Sequence, residues 1–255
     1  MRNVLAIAEK ELRSYFASPI AYILIGFFSL LFGWFFYVYL MAFVNQSEQM
    51  MQFGGGGGAN VNQMMIRGLL QNTAVIILFV MPMITMRTYS EEKRSGTIEL
   101  LLTSPVTDVE IILGKFFGAL GLYVVMLLVT LLYIAILFVY GNPEWRPLVA
   151  CYLGLLLMGG SFLSIGLLIS STTNNQIVAG IISFIVFLML WIVGWFADTA
   201  GPTMGAITRY LSITEHFDDF SKGIIDTRHV IYYLSLITLG LFLTAKSVDS
   251  ERWRG

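Results

Sequence analysis

The stretch PLVACYLGLLLMGGSFLSIGLLISSTTNNQIVAGIISFIVFLMLWIVGWFA, residues 147–197, contains no Asp, Glu, Lys or Arg in 51 consecutive positions. A bilayer core is about 30 Å thick and needs about 20 apolar residues of helix to cross it. The stretch therefore reads as two membrane spans, Leu148–Ile169 and Ile177–Ala197. Working outward, four further segments meet or approach that length: Ile20–Val44, Leu69–Met86, Ile111–Tyr140 and Val230–Ala245. Composition agrees, with 57% hydrophobic residues, only 12% charged and a mean hydropathy of +0.77. An ordinary soluble domain carries roughly a quarter charged residues. Lipid offers no partner for exposed backbone groups, so each span must be helical. The runs are continuous and lack the period-2 alternation of barrel strands. The fold class expected is all-α integral membrane, one domain over residues 1–255 with six transmembrane helices.

Orientation follows from the loops. With both termini on one side, that side holds Arg2, Lys10, Arg13, Arg87, Lys93, Arg94, Lys115, Lys246, Arg252 and Arg254, while Arg67, Arg146, Arg209, Lys222 and Arg228 lie opposite. The positive-inside rule places the richer side, and both termini, in the cytoplasm of an inner or plasma membrane. A net charge of −1 argues against nucleic-acid binding driven by overall charge. Cys151 is the sole cysteine, so neither an intramolecular disulfide nor a cysteine metal cluster is expected. The first apolar run begins after Glu9, Lys10, Glu11 and Arg13 and is too long for the core of a cleavable leader.

Residues 1–19 precede the first span. Leu5, Ala8, Leu12, Tyr15 and Phe16 recur at helical spacing with Arg2, Asn3, Glu9, Lys10 and Arg13 on the other side, which predicts an interfacial helix ended by Ser18-Pro19. The outer loop 45–68 holds five consecutive glycines, Gly54 to Gly58, and reads as a flexible tether. The second long outer loop, 198–229, carries Tyr210, Ile213, Phe217, Phe220 and Ile224 on one helical face and Glu215, Asp218, Asp219 and Lys222 on the other. It predicts one amphipathic helix, either dipping into the outer leaflet or covering the bundle end. His216 and Asp219 make two ligands, a poor metal site, so no metal is expected.

Between the second and third spans, residues 87–110 hold the densest charge in the chain: Arg87, Glu91, Glu92, Lys93, Arg94 and Glu99. Thr88 with Glu91 fits a capping box, Gly96 interrupts the helix it would open, Ser104-Pro105 stops the segment, and Thr107 with Glu110 forms a second capping box at the start of span three. An apolar Leu100-Leu101-Leu102 patch beside mixed charge suits either a solvated connector or a docking surface for a partner.

This segment resembles the cytoplasmic loop of type-two ABC exporter permeases, whose pattern is an acidic-basic run, Gly-Thr, a Glu, a Leu pair and a Pro. Glu91, Glu92, Lys93, Arg94, Gly96, Thr97, Glu99, Leu101, Leu102 and Pro105 occupy that pattern without a gap. Pro82 near the end of span two, as a kink, Gly114-Lys115, and the N-terminal Glu11, Arg13, Phe16 and Pro19 look like family positions as well. The nearest similarity is to the gliding-motility-associated and nitrous-oxide-reductase-maturation permeases. The resemblance implies that residues 88–104 form a coupling helix seated in a separate ATP-binding subunit, and that the N-terminal helix is a connector on the inner leaflet. It further implies two ATPase copies, a second permease (the same chain or a paralogue) and room for a periplasmic or auxiliary subunit. ATP and Mg would bind the partner, with no cofactor on this chain. Short helices before the last span would cap the external exit, making Phe217 and Phe220 gate candidates. The glycine run has no counterpart in the pattern.

The spans themselves are nearly free of ionisable groups; Lys115 near the start of span three is the exception, which argues against ion-gradient coupling. No His-Glu-x-x-His or P-loop motif is present, so an enzyme is not expected and energy must come from another chain. Small residues at packing spacing, Gly114 with Gly118, Gly160 with Ser164 and Gly166 with Ser170, fit close helix contacts within one chain or across a dimer. The function expected is the permease subunit of an ATP-driven ABC exporter. Two alternatives stay open: an ABC-linked mechanotransmission or assembly subunit, and a stand-alone membrane scaffold or channel.

Overall fold

The computed structural model describes residues 2–52, 61–97, 106–141, 143–197, 199 and 201–252, and among these it is helical without a strand. Ten α-helices follow in order: α1 Arg2–Ala17, α2 Pro19–Gln52, α3 Arg67–Thr85, α4 Ser90–Ser95, α5 Asp108–Tyr140, α6 Trp145–Thr172, α7 Gln176–Ile192, α8 Gly201–Leu211, α9 Ile213–Ser221 and α10 Thr227–Arg252. A π turn, Asn62–Ile66, leads into α3, and a 3-10 turn, Val193–Phe196, follows α7. Among the described residues six helices are long and apolar enough to cross a membrane, as expected.

The spans are not equivalent. Two-thirds of the apolar window is buried in α3 and α6 (67% in each), against 22% in α2, α7 and α10. The central pair is therefore α3 and α6, and the outer three present their apolar surface to lipid. α6 touches α10, α9, α3, α7, α5 and α4. Its small residues explain this. A methyl group added at Gly159 would meet the Tyr123 ring, one at Gly166 would meet Thr85, and Ser164 packs under Gly240. All three small-residue pairs noted in the sequence are thus filled from within the chain. Gly114 and Gly118 face α1, Gly160 faces Ile237 of α10, and Ser170 faces the start of α4.

The helix ends show which segments share a side. Asn3 donates to Glu110 at the start of α5, and Ser247 near the end of α10 bonds Ser171 at the end of α6. Lys93 of α4 reaches the Ser171 carbonyl. Both termini therefore lie at the α4 end of the bundle, as an even number of spans requires. At the opposite end Arg67 of α3 meets Asp218 of α9.

Several boundaries differ from those read in the sequence. α2 runs on to Gln52, so the tether assigned to residues 45–68 loses its first eight positions to helix. Most of those residues are polar, but nothing in Asn45–Gln52 breaks a helix already nucleated in the membrane. The glycine run lies outside the described residues. The single amphipathic helix expected in 198–229 is two helices broken at Ser212, whose hydroxyl caps the second by accepting from Glu215 N–H at 3.4 Å. Along the expected apolar face, Ile213, Phe217 and Phe220 are buried against the bundle, while Tyr210 and Ile224 are exposed. The helix covers the bundle end, and Gly154 of α6 provides the slot into which Phe220 fits.

Candidate functional site

The charged loop of residues 87–110 is built into the bundle on its N-terminal half. α3 continues through Pro82, which cannot donate to the Leu78 carbonyl, and ends at Thr85. The Thr85 and Ser90 hydroxyls bond back to the Met81 and Met86 carbonyls at this end. α4 starts at Ser90, and Thr88 does not cap it. The cap comes from another helix: Ser170 Oγ accepts from the amides of Tyr89 at 3.0 Å and Ser90 at 3.2 Å. Thr88 instead gives its carbonyl to Lys115 and places its hydroxyl 3.4 Å from Tyr15. At the other end Gly96 adopts φ 72°, with Gly96 N–H donating to Lys93 O and Thr97 N–H to Glu92 O, a Schellman closure. Glycine fits because the left-handed region costs other residues roughly 1–2 kcal/mol. The second capping box, Thr107 with Glu110, is formed in both directions and opens α5. Glu99, Leu101, Leu102 and Pro105 lie outside the described residues, so the described part of this loop's N-terminal half is a short helix and its glycine stop.

The charges of α4 divide into an outer and an inner set. Glu91 pairs with Arg87 at 2.9 Å and is half exposed, and Arg94 is exposed. Glu92 turns inward. Its Oε1 lies 2.7 Å from Lys115 Nζ, which also donates to Glu11 Oε1 at 3.0 Å and to the Thr88 carbonyl at 3.0 Å. Lys115 is 1% exposed, and its three N–H donors meet three acceptors on three segments. The Tyr89 ring sits 5.1 Å from the ammonium. One buried ammonium thus holds two largely buried carboxylates, joining α1, α4 and α5. Among the described residues Glu92 Oε2 and the Tyr89 hydroxyl are buried without a hydrogen-bond partner.

α1 reaches this site because α5 offers it a groove. A methyl group at Gly114 would fall 2.6 Å from Ile7, and one at Gly118 would fall 2.6 Å from Glu11 Cβ. The backbones approach so closely that Glu11 is delivered to Lys115, one helical turn away. The packed stripe of α1 is Val4, Ile7, Ala8, Glu11, Leu12, Tyr15 and Phe16, whereas Leu5, expected on the apolar face, is 69% exposed. Arg13 is exposed and pairs with Glu9, and Pro19 is the first residue of α2. Tyr15 donates to the Ile84 carbonyl at 3.2 Å. Burial pushes its hydroxyl up to about 12, against a smaller opposing effect of Thr88, so it remains a neutral donor.

Phe217 and Phe220 are both buried in the seam between α9 and α6, and the Phe220 carbonyl accepts from Cys151 Sγ at 3.1 Å. A gate at these positions would have to move α9 as a unit. Sequence reasoning placed Lys115 as the one ionisable residue of the spans and as a family position, but not as the partner of Glu11 and Glu92. The signal was present in Gly114-Lys115-x-x-Gly118, a cation flanked by small residues inside an apolar run.

The fold and this junction define a multi-pass membrane protein in which a short charged helix is tied by buried ions to the spans. The ABC-2 family transporter protein family matches residues 5–245, and the chain belongs to it. No curated protein matches the chain. The protein is therefore a membrane-embedded permease subunit of an ABC transporter, not itself catalytic, in a family that implies pairing with an ABC ATP-binding subunit.

Proposed function

We propose that the chain is the permease half of an exporter, with α4 as the surface that a separate ATP-binding subunit seizes. The observation that carries this reading is the Lys115 junction. Force applied at α4 reaches α1 and α5 through Lys115 and α6 through Ser170, with no flexible segment between. Glu91, Lys93, Arg94, Gly96 and Thr97 would face or shape the contact, and Glu92 would transmit it inward. In this reading the α4 end is cytoplasmic, as its surplus of Lys and Arg supports. Two ATPase copies would load ATP and Mg and pull two permeases together. The second permease would be another copy or a paralogue, and an auxiliary subunit on the far side is compatible with this arrangement. The nearer kinship to gliding-associated and nitrous-oxide-reductase-maturation permeases is supported by residues 11–19, Pro82, 91–105 and Gly114-Lys115.

The test is a mild-detergent pull-down from native membranes with ATPase activity measured on the eluate. A P-loop subunit should co-purify. The exposed-charge variant Glu91→Lys/Arg94→Glu should release it while leaving the melting temperature unchanged. A clean preparation without ATPase, or undiminished capture by that variant, would refute the docking role. ATP-dependent transport into sealed vesicles then separates export from force transmission.

A further inference from the structure

At the end of the bundle opposite α4, four ring nitrogens are joined in one chain. His216 Nε2 lies 3.0 Å from the Tyr210 carbonyl, His216 Nδ1 lies 2.7 Å from His229 Nδ1, and His229 Nε2 lies 2.9 Å from Asp219 Oδ2. The carbonyl and the carboxylate only accept, so His216 Nε2 and His229 Nε2 must each carry a proton. The Nδ1 pair needs one more proton between them. The three contacts are all hydrogen bonds only when two imidazoles hold three ring protons, one more than two neutral rings have. Asp219 balances that extra charge. A fourth proton would set two N–H groups against each other at 2.7 Å, and no ion fits between nitrogens so close.

The surroundings make this count matter. His216 stacks on Tyr232, with centroids 3.7 Å apart and planes 16° apart, so its ring cannot turn away cheaply. Other charges on α9 and its cap are Glu215, Asp218 and Lys222, and Lys222 also reaches Asp219 at 3.4 Å. α8 contributes Arg209 and Tyr210; the turn into α10 and its first residues contribute Asp226 and Arg228; α10 adds Tyr232 and Tyr233. From α3, Arg67 bonds Asp218, and from α6, Cys151 bonds Phe220. A cavity of about 890 Å³ between α8, α9 and α10 admits solvent to both rings.

We propose that His216, His229 and Asp219 form a clasp that holds α9 against the start of α10 only while the two imidazoles share three ring protons, and that a fourth proton opens it. Burial first, and then the neighbouring His229, hold the His216 ring below the ordinary histidine range despite the Tyr210 carbonyl and Asp219. A base whose folded value is lowered stabilises the fold above its unfolded value and loses that contribution as pH falls below it, here from about 6.5 downward. The clasp lies away from α4 and does not depend on how an ATPase docks. It makes the attachment of the helix closing this end sensitive to acid on that side of the membrane.

His216 and His229 are the only two histidines in the chain, so ¹⁵N-histidine labelling of the full-length protein in lipid nanodiscs reports this site alone. At about pH 7.5 one of the four ring nitrogens should lack a proton, and well below about pH 6 none should. Two unprotonated nitrogens at neutral pH would overturn the proposal. In parallel, amide exchange over residues 213–221, corrected for intrinsic rates, should rise by about tenfold per pH unit once the fourth proton binds. His216→Phe, which keeps a ring on Tyr232, should abolish that acid-dependent rise. Exchange that ignores acid in the native protein, or responds equally in His216→Phe, would also overturn it.

Discussion

The two ends of the bundle solve one problem, fastening a short polar helix to long apolar ones, in opposite ways. At the α4 end the fastener is a fixed, buried charge. Lys115 is buried, its carboxylate partners are 15% and 18% exposed, and every ammonium proton is used. At the α9 end the fasteners are wet or titratable. Arg67, Asp218 and Lys222 are each about two-fifths exposed, and the histidine pair holds only at one proton count. Charges out of water interact strongly but are ruinous if left unpaired, whereas exposed pairs contribute little and are screened. The first kind of joint is rigid and tolerates changing solution conditions, as the proposed coupling role of α4 requires. The second kind can be undone by them.

The comparison breaks most visibly at Lys115. Lys115→Met strands two largely buried carboxylates without their cation and should cost about 3–5 kcal/mol, read as a fall in the melting temperature of the detergent-solubilised protein. The triple variant Glu11→Gln/Glu92→Gln/Lys115→Met should recover most of that loss. A mild Lys115→Met would mean that water reaches the junction and that the two ends do not differ in kind. Next in size, Ser170→Ala removes the borrowed cap of α4 and should cost about 1–2 kcal/mol. Faster amide exchange confined to Tyr89 and Ser90 is its signature. Gly96→Ala meets no atom within 4 Å, so its loss comes from the φ of 72° alone and should be about 1–2 kcal/mol. The smallest effect belongs to the α9 end. Asp218→Asn should cost about 0–1 kcal/mol and less still in high salt, whereas the cost of Lys115→Met should not respond to salt.

The same contrast extends to pH. Partial burial pushes the Asp218 carboxyl up, but hydrogen bonds from Lys222 and Arg67 outweigh it and hold the group below its usual range. A carboxyl lowered on folding stabilises above its unfolded value and loses that contribution as pH falls through the folded one, so this pair should weaken only below about pH 4. The histidine clasp should let go well before that. Acid unfolding followed with and without Asp218→Asn should separate the two steps.

How much of this was legible depends on whether a feature is local. The six spans, the capping box of Thr107 and Glu110, and the stop at Gly96 were readable because each rests on residues within a turn or on an unbroken apolar run. Thr88 was misread as a cap because its rival, Ser170, is far away in sequence. The helix through 198–229 was read as one because its apolar period runs on across Ser212, whose capping turn is weak beside it. Leu5 shares the apolar period of α1 but stands off the stripe that packs against α5, because the close approach is set by the glycines at 114 and 118. Glu92 was grouped with Glu91 as surface charge, and only the packing separates an outward pair with Arg87 from an inward bond to Lys115.

By itself the sequence determined that the chain crosses a membrane, how many times, and where its charge collects, since lipid forbids unpaired backbone and long apolar runs have no stable home in water. It also carried the pattern by which the loop of residues 87–110 resembles that of ABC exporter permeases. Tertiary structure alone decided which charges meet, because an ion pair such as Glu11 with Lys115 or a ring pair such as His216 with His229 depends on how closely helix backbones approach. That distance is set by small residues on the facing helix, which hydropathy does not register.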